Sequence, residues 1–181
     1  MSKGFSGDPI TKWTGERLMY LEEDFYYIDS NEKKWLAPKG SCINGATIPQ
    51  ELWSTIGSPY TGKYRRASIV HDVAVGENGN PSVTKEQRRE ADRMFHEACL
   101  TDGCSIRLAN LLYIGVSIGT FLSKSKNAKR DSFARLEEEE LKRDPKIKEI
   151  ENLFWQVVKK SAKFIDGSDL DSIDSIIRKE V

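Results

Sequence analysis

From Leu108 to Leu122 the chain runs fifteen residues without a charged side chain. This stretch restricts the fold more than any other. A membrane-spanning helix needs about 20 consecutive apolar residues. The run is shorter than that and is interrupted by Asn110, Ser117 and Thr120. A helix that is apolar nearly all round must be covered on every side. The expectation is a central buried helix, capped by Ser105, and no membrane span.

The segments before it supply the cover. Tyr20, Phe25, Tyr26, Tyr27 and Ile28 are strand-favouring types, Asp29-Ser30-Asn31 is turn chemistry, and Lys34 to Ala37 resumes the apolar pattern. That order predicts a hairpin with a three- to five-residue loop. Cys42-Ile43 is a further short strand. From Pro49 the period becomes helical: a short helix over 50–56, a second from Tyr64 to Val75, and a third from Thr84 to about Thr101. Thr84 and Gln87 have the spacing of a capping box, with Ala91, Met94, Phe95, Ala98 and Cys99 on the buried face. After Ser123 the composition changes. Lys124 to Asp131 is polar and basic, and Phe133 to Arg143 is a charged helix in which Glu137 to Glu140 read as a solvated face. Pro145 then restarts a helix with a stripe of Ile147, Ile150, Leu153, Phe154, Val157, Val158 and Phe164. Leu170, Ile173, Ile176 and Ile177 mark a last short helix. The expected class is α+β: a small N-terminal antiparallel sheet packed on a helical bundle over residues 5–123, with a helical extension over 124–181 packed on it.

Acidic and basic residues balance at 28 each, so no global charge steers the chain to nucleic acid or to an anionic membrane. The basic runs lack the interleaved aromatics of a nucleic-acid face. Residues 1–9 contain no apolar leader core, which predicts no signal peptide and a cytoplasmic protein. Cys42, Cys99 and Cys104 are an odd number without a CxxC spacing, which reads as free thiols packed in a reducing compartment. Phosphate-loop, dinucleotide-binding, nucleophile-elbow and HExxH patterns are absent.

Both histidines of the chain fall in one candidate cluster. His71 and Asp72 are adjacent on the second helix. Asp92 and His96 are spaced i, i+4 on the third and project from one face. Imidazole and carboxylate together suit a divalent ion such as zinc or manganese. The expected metal set is His71, Asp72, Asp92 and His96, with His71, Asp72 and Asp92 in catalytic roles. The competing structural account makes His71 a core histidine bonded to a carboxylate, Asp72 a tether for the loop near Asn44, and Asp92 a partner of Arg65, Arg66 or Arg89. Asn44-Gly45-Ala46-Thr47-Ile48-Pro49 is a second candidate. Its Asn-Gly turn presents backbone N–H groups and the Thr47 hydroxyl, so Asn44, Gly45 and Thr47 are expected to bind substrate.

Read in order, these motifs resemble one family. Phe25-Tyr26-Tyr27, Trp35 to Gly40, Asn44 to Pro49 with Leu52-Trp53, Gly57-Ser58-Pro59, Tyr64, His71-Asp72, Ala91-Asp92 with Phe95, and Tyr113 with Val116 and Gly119 are similar to domain-of-unknown-function family 1353, over roughly residues 5–122. The resemblance implies a protein of the kind found in bacteriophages, prophages and bacteria. It marks Gly45, Ala46, Pro49, His71, Asp72 and Asp92. One position departs: the family usually has aspartate where this chain has Asn44, and asparagine offers a carbonyl oxygen but takes no proton.

Two functions follow as expectations. The first is a metal-dependent hydrolase in which a metal-bound water is activated at His71, Asp72 and Asp92; peptide and phosphoester bonds are both open as substrates. The second is a non-catalytic phage or prophage protein that binds a protein partner through its C-terminal helices, with Phe154 and Trp155 as anchors.

Overall fold

The computed structural model describes residues 3–14, 19–43, 62–76, 82–122 and 145–181. Backbone contacts divide the chain into two compact units: Met1–Ala46 with Pro59–Cys104, and Thr47–Ser58 with Ser105–Val181. The expected helices at 50–56 and 133–143, the turn at Asn44, Gly45 and Thr47, and the expected boundary at 123–124 lie outside the described residues.

In the first unit the expected sheet is present as two antiparallel sheets of three strands each. One has the order β1 (Gly4–Phe5), β4 (Phe25–Ile28), β5 (Lys34–Ala37); the other has β2 (Thr11–Trp13), β3 (Met19–Leu21), β6 (Cys42–Ile43). The predicted hairpin joins β4 to β5, with Phe25 opposite Ala37 and Ile28 opposite Lys34. Its loop is held by one side chain. Asp29 Oδ1 accepts from the backbone N–H of Asn31 (2.9 Å) and Lys33 (3.0 Å), and Oδ2 accepts from Trp35 Nε1 at 2.8 Å. The short polar side chain replaces backbone partners that the turn would otherwise leave unmet. Along β5 the pleat buries Trp35 and Ala37 and exposes Lys34 and Leu36.

Two helices cover these strands. α1 (Arg65–Ala74) packs on β4, β5 and β6 and against α2 (Lys85–Thr101). The capping box of α2 is formed. Thr84 Oγ1 accepts from Gln87 N at 3.2 Å, and Gln87 Oε1 accepts from Thr84 N at 2.8 Å. Ala91, Met94, Phe95, Ala98 and Cys99 are buried, which is the face that the 3.6-residue period predicts.

The second unit is built on α3 (Ile106–Leu122), with α4 (Pro145–Lys160) and α5 (Leu170–Glu180) packed against it and each other. Ser105 Oγ accepts from Leu108 N at 3.2 Å at the start of α3. Ala109, Leu112, Ile114, Val116 and Ile118 are buried. Two polar side chains in this apolar run reach partners outside α3. Asn110 Nδ2 donates to the carbonyls of Ile165 (2.9 Å) and Gly167 (2.8 Å), and the Tyr113 hydroxyl donates to Asp174 Oδ1 at 2.5 Å. Among the described residues no helix is long and apolar enough to cross a membrane.

Candidate functional site

The packing of α1 on α2 sets the geometry of the candidate cluster. His71 lies in the last turn of α1 and Asp92 near the middle of α2. Their side chains meet inside the first unit, with His71 Nε2 2.8 Å from Asp92 Oδ1 and side-chain exposures of 2 % and 1 %. The imidazole also lies against Phe95, at 4.9 Å between ring centroids and tilted by 44°. Against an ionised Asp92, which can only accept, Nε2 would carry the hydrogen and a neutral ring would keep a lone pair on Nδ1. Neither His71 Nδ1 nor Asp92 Oδ2 has a hydrogen-bond partner among the described residues.

The other candidates are placed differently. Asp72 is fully buried next to His71 on α1, and successive helical residues point about 100° apart. His96 is buried one turn beyond Asp92 on α2. Among the described residues no group of three or more His, Cys, Asp or Glu side chains is gathered so as to hold a metal. Asn44, Gly45 and Thr47 lie outside the described residues. Arg66 bonds Asp102, through Nε at 2.9 Å and Nη2 at 2.5 Å, and Asp8 at 3.5 Å.

One polar centre had no signal in the sequence reading. Glu97 on α2 accepts from the backbone N–H of Ser30 (2.8 Å), the Ser30 hydroxyl (2.8 Å) and the Tyr27 hydroxyl (3.1 Å), and it pairs with Lys3 at 3.0 Å. Burial pushes its carboxyl up, but these donors outweigh it and hold the group below the ordinary value. Burial likewise raises the Tyr27 phenol, against the hydrogen bond with Thr101, with the Glu97 charge adding to the rise. A glutamate on a helix that clamps a hairpin some 67 residues earlier has no local pattern by which to be found.

The family model for proteins of unknown function, DUF1353, matches residues 19–116, more than half of the 181 residues. Two uncharacterised proteins of Sinorhizobium fredii (strain NBRC 101917 / NGR234) are similar. The protein y4jT is 47% identical over 55 residues, 30% of this chain and 16% of its own length. The protein y4iH is 31% identical over 96 residues, 53% of this chain and 38% of its own length. The chain thus spans well under half the length of these relatives. No solved structure matches.

Proposed function

The chain belongs to the DUF1353 family of proteins of unknown function, and on that premise we propose that His71 and Asp92 form the proton-transferring dyad of a small hydrolase-type site, in a protein of phage or prophage kind. The observation that carries this reading is the open Nδ1 of a buried imidazole whose Nε2 is held by a carboxylate. Buried polar atoms are nearly always satisfied, and one that is not calls for a ligand, a water or a chemical role. A histidine that served only as a tether between α1 and α2 would gain from a partner at its second nitrogen. On the proposed reading Asp92 fixes the tautomer and orientation of the ring. His71 Nδ1 takes a proton from water as that water attacks a carbonyl or phosphoryl centre. Asp92 then stabilises the imidazolium until its proton passes to the leaving group.

Zinc or manganese fits the described residues in part. An imidazole backed by a carboxylate is the usual arrangement of a metal-held histidine. The described donors do not gather into a set of three, so they do not make a metal site by themselves. Peptide bonds of the cell wall and phosphoesters are the two substrate classes to assay.

The test combines hydrolysis of both classes by the full chain, the metal content of the purified protein, and the variants His71→Ala and Asp92→Asn. His71→Ala is expected to lower the rate about 10²–10⁴-fold. Asp92→Asn is expected to keep the fold and lose most of the rate, because an amide can hold the ring in the other tautomer. A chain that cleaves neither class, or variants with the wild-type rate, would leave the pair as a buried tether. A bound metal lost in folded His71→Ala would place His71 among its ligands.

A second reading, a protein-binding role for the C-terminal helices, is favoured by Trp155. This side chain stands on α4 at 41% exposure and meets Phe154 edge-on at 5.2 Å. Phe154 itself is buried, so of the two expected anchors only Trp155 is presented.

A further inference from the structure

The C-terminus of α2 is closed by a Schellman motif, and that motif brings two thiols together. Gly103 stands at φ +87°, a conformation that side chains with a Cβ rarely adopt. Its N–H donates to Leu100 O at 3.1 Å, and the N–H of Cys104 reaches back to Cys99 O at 3.0 Å. These are the two backbone bonds of the motif, and the residue after the glycine regularly packs on the residue five positions before it. In most helices that contact is between apolar side chains. Here both are cysteines. The two side chains share one corner, where each acts on the ionisation of the other. Cys99 is fully buried, whereas Cys104 retains 8% exposure. Lys63 lies at the same corner, with its Nζ 3.9 Å from where a Cβ on Gly103 would stand.

The two sulfurs are not equivalent. The neighbouring Cys99 thiol lowers the Cys104 thiol below its ordinary value despite burial and Asp102, and the Lys63 charge adds to the lowering. Burial pushes Cys99 well up. The thiolate is the nucleophile in oxidation and exchange, so the corner pairs an attacking sulfur with a protonated resolving one.

We propose that Cys99 and Cys104 are a peroxide-sensitive dithiol that closes to an intrachain disulfide across the end of α2, with Cys104 as the attacking sulfur. The Cys104 thiolate attacks one oxygen of a peroxide. The S–O bond forms, the O–O bond breaks, and the leaving oxygen takes up a proton from solvent and departs as water or alcohol, giving a sulfenic acid. Cys99 sulfur then attacks Cys104 sulfur. The S–S bond forms, the S–O bond breaks, and the hydroxyl leaves with the Cys99 proton as water. The peroxide is reduced and the two thiols are oxidised by two electrons; a small thiol reductant reverses the change. A disulfide needs Cα atoms about 4.4–6.8 Å apart, and the backbone bond from Cys104 N to Cys99 O already holds the two residues together at the closed helix end.

The experiment uses the full chain treated with hydrogen peroxide, then denatured, alkylated and digested with trypsin. Cys99 and Cys104 fall in one tryptic peptide, Met94–Arg107, so a bridge appears as the loss of two hydrogens and of both alkylation sites in that peptide. Cys42, on β6, is the internal comparison. The expected result is that the peptide loses both sites before Cys42 is oxidised and regains them with dithiothreitol. In Cys99→Ser, a 1,3-dione is expected to trap a sulfenic acid at Cys104. Retention of both thiols in Met94–Arg107 under peroxide that oxidises Cys42 would overturn the dithiol. A dione adduct on Cys99 in Cys104→Ser, formed as fast as the one at Cys104, would overturn the assignment of the attacking sulfur. The wild-type mapping decides the disulfide even where a variant fails to fold.

Discussion

A carboxylate that accepts from Ser30 and Tyr27 and pairs with Lys3 favours its ionised form once the chain is folded. Glu97 is such a group, with a folded pKa below its ordinary 4.5 although burial acts against it. Its contribution is therefore complete above about 4.5 and fades as the pH falls through the lower folded value. Glu97→Gln is expected to lower stability at neutral pH by on the order of 1.5 kcal/mol, the range of hydrogen bonds to charged groups. Urea titrations of both proteins should show the gap closing as the pH falls below 4.5; a gap independent of pH would assign the loss to shape and not to charge. At this scale the sequence was informative unevenly. His71 and Asp92 were readable because a chain with two histidines offers few candidates and because helical periodicity set both on inward faces. That they bond each other, and that Asp72 and His96 do not join them in a metal cluster among the described residues, depends on how α1 is rotated against α2. Side-chain spacing within one helix does not contain that rotation.

Helix ends were legible because their signals are local. Thr84 with Gln87, Ser105 before α3 and Pro145 at the start of α4 each mark a start where one occurs. The capping box gives a direct test. Thr84→Ala removes the acceptor for Gln87 N and is expected to cost about 1 kcal/mol. That loss should appear as a lower urea midpoint with an unchanged slope, since an exposed side chain adds little to the area uncovered on unfolding. Strands were read less well. β1 has two residues and β2 three, too few to display an alternation. The division into two sheets depends on β3 pairing with both β2 and β6, and the β6 partners of Met19 and Tyr20 lie more than twenty positions on, at Ile43 and Cys42. Turn chemistry reports only the neighbour of a strand in sequence, so it found the β4–β5 hairpin and not the second sheet.

At the level of the molecule, the family match over residues 19–116 runs through the junction between the two units at Cys104 and Ser105. In the second unit α3 is covered by α4 and α5, which bury Phe154, Val157, Ile173 and Ile177. Deleting residues 146–181 should therefore uncover the apolar surface of α3. The expected outcome is aggregation in size-exclusion chromatography and strong binding of a hydrophobic dye. A monomeric, dye-silent remainder would instead make α4 and α5 a detachable partner module, in line with the exposed Trp155. The clamp on Glu97 also bears on the order of events during synthesis. The Tyr27 hydroxyl and the Ser30 backbone bond a residue 70 and 67 positions later. At translation speeds of about 5–20 residues per second, the hairpin waits roughly 3–15 s after it is made before Glu97 exists to clamp it. A short sheet without a packed face is only marginally stable in water. Until α1 is made the newborn hairpin lacks the helix that packs on its strands, and until Glu97 follows its loop lacks the carboxylate that clamps it.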